Sequence, residues 1–234
     1  MKLFLAILFF FTANSQPVLK KTDGMMSDHD VKKYSYLALG DSYTIGESVP
    51  AEDNFPNQVS KMMSNDSVVF GPARIIARTG WTTAELETGI LFSDREDPLQ
   101  RNYDVVSLLI GVNNQYRGQP VENYKTEFEE LLKKAIRFAG NKPEQVVVLS
   151  IPDWGITPFA AGRDSRQIGK EIDAYNAANR EIAGRYHIYY IDITPWTREA
   201  VSDKSLLAPD GLHPSGKEYK RWAGQVAAFF RTKI

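Results

Sequence analysis

Continuous apolar runs alternate with stretches of helical periodicity along most of this chain. Val105-Val106-Ser107-Leu108-Leu109-Ile110 and Val146-Val147-Val148-Leu149 interrupt their apolar character with a single serine between them. Such runs suit strands buried on both faces of a sheet. With shorter runs they predict five strands, at 34–39, 73–77, 105–110, 146–150 and 188–191. Between the strands the period changes. Tyr124, Phe128, Leu131, Leu132, Ala135 and Ile136 fall at helical spacing within 121–139, and Gly140-Asn141 ends that helix. Further helices are predicted at 54–64, 82–91, 169–184 and 215–232, the second beginning with threonines that can cap its first turn. Alternation of this kind predicts an α/β fold, a parallel sheet with helices on both faces. No repeat or internal linker interrupts it, so a single domain is expected over residues 34–234.

The first residues break the pattern. Met1-Lys2 precedes an apolar stretch at 3–11, too short to span a bilayer comfortably, and Ala13-Asn14-Ser15 supplies small residues. A signal peptide is expected over residues 1–15, cleaved near Ser15, with export to the periplasm or the extracellular space. An uncleaved N-terminal anchor is the alternative. Residues 16–33 are polar and unpatterned, a flexible lead-in.

Composition narrows the chemistry. The net charge of −1 gives no electrostatic reason to expect nucleic acid or an acidic membrane surface as partner. The chain has no cysteine, which excludes disulfides, thiolate catalysis and cysteine-ligated metals. Its 3 histidines are His29, His187 and His213. His29 lies in the lead-in, and His187 precedes a strand, at the edge opposite the strand ends where ligands bind.

The loops after the strands share one rim of such a sheet. They hold Gly40-Asp41-Ser42, then Thr79-Gly80-Trp81, then Gly111-Val112-Asn113-Asn114, then Pro152-Asp153-Trp154, and near the end Asp210-Gly211-Leu212-His213. Each is an ordinary turn or capping segment when taken singly. Together they supply acyl transfer. A serine hydroxyl needs a base to accept its proton; the base needs a carboxylate to hold its tautomer; the tetrahedral oxyanion needs preorganised donors. Ser42, His213 and Asp210 fill the first three roles, and the Ser42 N–H, the Gly80 N–H and the Asn113 amide the last.

This ordered set, Gly-Asp-Ser at 40–42, Gly80, Gly-x-Asn at 111–113 and Asp-x-x-His at 210–213, resembles the SGNH superfamily of GDSL-type hydrolases. The resemblance implies a three-layer α/β/α, flavodoxin-like fold and hydrolysis of carboxylic esters or thioesters. It implies Ser42 as nucleophile, His213 as base and Asp210 as its orienter, with no metal and no cofactor. Two positions depart from the pattern. Tyr43 stands where the family's namesake has leucine, and Asn114 where aspartate is frequent. The Gly-x-Ser-x-Gly elbow of the other large serine-esterase fold is absent.

Substrate is less legible. Trp81, Trp154 and Phe159 are expected to line the site, and the stretch from 152 to 167 to form a wall or lid. A short-to-medium acyl esterase is the first expectation and a carbohydrate O-deacetylase the second. A silent glycan- or lipid-binding module, a metal hydrolase using Asp41, Asp210 and His213, and a flavin binder are the readings from other classes.

Overall fold

The computed structural model describes residues 31–65 and 67–234. The expected signal peptide, most of the lead-in and His29 lie outside the described residues.

Five parallel strands form the central sheet: β2 (Tyr36–Asp41), β4 (Arg74–Arg78), β5 (Val105–Leu109), β6 (Val146–Leu149) and β7 (Tyr189–Ile191). Their spatial order is β4-β2-β5-β6-β7. Every residue of β2, β5 and β6 is buried, as their continuous apolar runs demand. Tyr36 and Asp41 are the polar residues at the two ends of β2, and the Tyr36 hydroxyl hydrogen-bonds Ser107 on β5 at 2.7 Å.

The helices follow from the crossovers. α2 (Phe55–Met63) packs against α8 (Gly216–Phe230). α3 (Thr83–Glu96) and α6 (Ser165–Arg185) both pack against α5 (Val121–Phe138). Because parallel crossovers are right-handed, the α2 connection leaving β2 and the three returning connections fall on opposite faces of the sheet. This is the α/β/α sandwich that the alternation predicts. The α2–α8 layer buries Phe55 against Trp222 at 6.2 Å between rings, and the other layer buries Tyr124 against Phe128 at 5.4 Å.

Local differences from expectation have local causes. A small parallel pair, β1 (Lys32–Tyr34) with β3 (Val68–Phe70), incorporates the last residues of the expected lead-in, so the domain begins before residue 34. α6 starts at Ser165 rather than 169, because the Asp164 carboxylate accepts the N–H groups of Arg166 and Gln167. α3 runs on to Glu96, past the predicted end at 91; its second half carries Leu91 and Phe92 exposed, so no apolar stripe marks it. Three short helices have no mark in the sequence pattern: α1 (Ser42–Ile45), α4 (Val112–Tyr116) and α7 (Thr194–Arg198). Each is too short to show a period.

The chain leaves β2 outward to β4 and then returns to β5 on the other side. The strand order therefore reverses at β2, and a crevice opens beyond the carboxyl ends of β2 and β5. Open α/β sheets bind ligands at such a point.

Candidate active site

β2 delivers the first residue. Asp41 ends the strand and caps α1, its Oδ1 accepting the Tyr43 N–H at 3.0 Å. Ser42 is thus the first residue of α1, where a backbone N–H has no intrahelical acceptor. The turn is sharp, and Gly40 permits it. A Cβ there would stand 2.1 Å from Thr44 Oγ1 and 2.4 Å from the Leu109 carbonyl.

The Asp210-to-His213 segment closes as a compact turn. His213 Nδ1 and Asp210 Oδ2 are 2.6 Å apart. The other carboxylate oxygen accepts the Leu212 and His213 N–H groups, each at 3.0 Å. Ser48 donates to Oδ2 at 2.7 Å. Partial burial pushes Asp210 up, but the bonds from His213, Leu212 and Ser48 outweigh it and hold the carboxyl at about 2. The carboxylate is therefore charged at any working pH. The Tyr43 ring packs on the imidazole at 4.9 Å.

Ser42, His213, Gly80 and Asn113 line one cavity of about 150 Å³. Among the described residues no hydrogen bond joins the Ser42 and His213 side chains, an open arrangement common before substrate binds. Asn113 Nδ2 donates to the Trp81 carbonyl at 2.9 Å and makes a long 3.4 Å contact with Asp41 Oδ2. One of its two protons is firmly engaged and the other only weakly. Arg117 donates to the Gly80 carbonyl at 2.6 Å, and Glu47 accepts from Thr79, so the loop around Gly80 is tied from two sides. His187 is exposed, at the start of β7 and so on the opposite rim.

The match of the GDSL-like Lipase/Acylhydrolase family spans residues 38–221. The chain belongs to this family. It is a carboxylic-ester hydrolase with the family's parallel-sheet fold. Among solved structures, TesA matches at 15% identity and a TM-score of 0.63, over 86% of this chain and 99% of that one. The esterase EstA from Pseudoalteromonas sp., solved inhibited by monoethylphosphonate, matches at 15% identity and a TM-score of 0.56, over 86% and 96%. An acetyl xylan esterase, AlAXEase, matches at 16% identity and a TM-score of 0.62, over 84% and 98%. At these identities the likeness is one of fold. No curated protein sequence matches the chain.

The hydrolase carries some expected wall residues at the cavity and not others. Trp154 is buried there, its Nε1 donating to Gln115 at 2.7 Å, and Phe159 lines the mouth half-exposed. Trp81 does not line the cavity. Its indole lies on Gly89 of α3, where a Cβ would approach the ring to 2.1 Å, so a flat seat on the helix takes it away from the site. Tyr116 at the end of α4 occupies the wall instead, 5.1 Å from the Trp154 ring. Only the short helix α4 brings Tyr116, still partly exposed, to the cavity, and its sequence carries no signal for that. Asn114, the departure from the family pattern, is fully buried and structural. It accepts the Thr83 N–H and donates to the Thr83 hydroxyl and to Gln119, pinning α3 to α4.

Asp41 is fully buried, and burial pushes its carboxyl up to about 7 against the weaker pull of the Tyr43 N–H and its own backbone. The native state therefore keeps a proton that the unfolded chain releases near pH 4. Stability falls as pH rises from about 4 to about 7, and above that the charged buried group carries its full penalty, on the order of 4 kcal/mol at most. Asp41→Asn retains the cap and removes the charge. It is expected to raise Tm at pH 8, the gain shrinking to nothing near pH 4. Thermal melts across that range check it, and an equal gain at both ends would contradict it.

Proposed function

We propose that the protein hydrolyses short-chain carboxylic esters through an acyl-enzyme on Ser42. Ser42 Oγ attacks the carbonyl carbon while His213 Nε2 takes its proton. Asp210, accepting the Nδ1 proton, keeps the imidazole in the tautomer whose Nε2 can accept. The oxyanion forms against the Ser42 N–H, the Gly80 N–H and the weakly engaged proton of Asn113 Nδ2. His213 then protonates the leaving alcohol, and a water activated by the same histidine releases the acid.

The observation that carries the substrate reading is the cavity. At about 150 Å³ it matches a space that takes a benzene-sized molecule, room for an acyl group of two to about six carbons. Val112, Leu212 and Trp154 give it apolar walls. A second reading has its own support. Tyr116 and Phe159 line the cavity while partly exposed, Tyr116 under the Arg163 guanidinium, and such aromatic rings suit a sugar ring on the leaving side. An O-deacetylase acting on glycans outside the cytoplasm would join that wall to the expected export.

The test is hydrolysis of p-nitrophenyl acetate, butyrate and octanoate, together with labelling by a fluorophosphonate. The expected result is turnover with acetate or butyrate well above octanoate, and a label that peptide mapping finds on Ser42. Acetate far above butyrate supports the deacetylase. A folded protein with no turnover and no label would be a silent binding module.

A further inference from the structure

The turn that follows α1 holds a residue whose conformation and bonding are hard to explain as packing. Gly46 and Ser48 both adopt left-handed backbone, with φ of 77° and 65°. Gly46 is the residue such a turn calls for, since a Cβ there would meet Asn54 at 2.5 Å. Ser48 is not. The other non-glycine residues with positive φ among those described are Asn141 and His187, both of types that tolerate this region. Ser48 is also exposed, so no packed side chain compensates for the strained backbone. Strain of this kind persists where the surroundings enforce it and clusters at functional sites.

The surroundings here are catalytic. The Ser48 hydroxyl donates to Asp210 Oδ2 at 2.7 Å, the same oxygen that faces His213 Nδ1. The turn itself is bonded onto the serine of the site, the Ser42 carbonyl accepting from Gly46 N–H at 3.1 Å and from Glu47 N–H at 3.0 Å. Ser48 therefore links the segment that carries Ser42 to the carboxylate that orients His213, across 162 residues of sequence.

The geometry points to Ser48 as a positioning residue of the triad, a fourth member that fixes the Asp210 carboxylate relative to the Ser42 turn. This rests on the proposed Ser42–His213–Asp210 mechanism. Ser48 does not line the cavity, so it acts through Asp210 and touches no substrate. Its bond disperses charge on Oδ2. Without it the carboxylate keeps three donors, the His213 Nδ1–H and two backbone N–H groups, and its less dispersed charge grips the imidazolium proton harder. The ionisable groups in the same field are Tyr43 and Tyr219, both buried, with Asp41, Glu47 and Asp153. Among the described residues none of these bonds to Asp210.

The test compares Ser48→Gly and Ser48→Ala with the wild type. Glycine removes the hydroxyl and relieves the strain; alanine removes the hydroxyl and keeps it. Both are expected to lower kcat about tenfold, the scale of a bond to a charged group, with KM unchanged. In both, the acid limb of the pH profile of kcat/KM moves to higher pH, a property of the His213–Asp210 pair as a unit. Ser48→Gly keeps or raises Tm while Ser48→Ala does not. A kcat that follows Tm, or a glycine variant with wild-type kcat and acid limb, would overturn the proposal. The carboxyl carbon resonance of Asp210 gives an independent reading: its titration midpoint rises in Ser48→Gly. That rise occurring in a protein that turns over no ester would remove the hydrolytic mechanism and leave the Ser48–Asp210 link standing; no rise would remove the link itself.

Discussion

Ser42→Ala is expected to lower kcat on a short p-nitrophenyl ester by about 10⁵–10⁶-fold, and His213→Ala by a similar factor. The two losses are nearly equal because the residues act as a unit: a hydroxyl without its base is as inert as a base without its nucleophile. What remains in each variant is the contribution of binding and of the oxyanion donors. Neither substitution unmakes the fold. The cap of α1 belongs to the Asp41 side chain, and Gly40 makes the turn before it, so alanine at position 42 leaves both in place. Ser42→Ala is expected to match the wild type in Tm and lose the fluorophosphonate label completely. His213→Ala also removes a donor from Asp210, whose carboxyl then moves up from about 2. Steady-state kinetics with a thermal melt on each variant checks this. A Ser42→Ala protein that keeps even a hundredth of wild-type turnover would end the acyl-enzyme mechanism.

Asp210→Asn is expected to lower kcat by about 10³–10⁴-fold while leaving Ser42 in place and accessible. The reason lies in the 2.6 Å contact with Nδ1. A carboxylate there accepts the Nδ1 proton and leaves Nε2 free to take the serine proton. An amide nitrogen at the same point donates to Nδ1, which places the proton on Nε2 and disables the base. The remaining carboxamide oxygen still accepts the Leu212 and His213 N–H groups, so the turn survives. Stability behaves differently. A carboxyl depressed to about 2 contributes stability that is present above its unfolded value near 4 and lost as pH falls towards 2. The asparagine variant is therefore less stable than wild type at pH 7, and the difference closes in acid. Melts at pH 7 and pH 3 read this directly; a difference that widens in acid would contradict the bonding described around Asp210.

Much of the architecture is legible in the sequence. Buried parallel strands write themselves as apolar runs, and β5 and β6 lie where those runs fall. The long helix α5 buries five of the six positions its spacing marks, with Ile136 only partly buried and Phe138 completing the stripe. The candidate triad was legible for a different reason. Three histidines and no cysteine leave few ways to build a nucleophilic site, and the rim loops carried the rest in order. Helices of four or five residues leave no trace, because a period cannot be seen in one turn. The assignment of Trp81 to the wall failed for a related reason: adjacency in sequence to Gly80 says nothing of which way an indole turns, and the seat on Gly89 decides it.

The sequence by itself determined the layered fold and the residues able to perform acyl transfer, because strand burial, helix period and the scarcity of histidine are properties of composition and local order; the family was legible only through the resemblance of its ordered motif blocks. Tertiary structure alone decided the size of the cavity, the replacement of Trp81 by Tyr116 in its wall, the high proton affinity of Asp41 and the reach of Ser48 to Asp210. Each of these depends on distances between groups far apart in the chain. Burial and hydrogen bonding act over a few ångströms, and only the packed sheet and its loops bring those groups within that range.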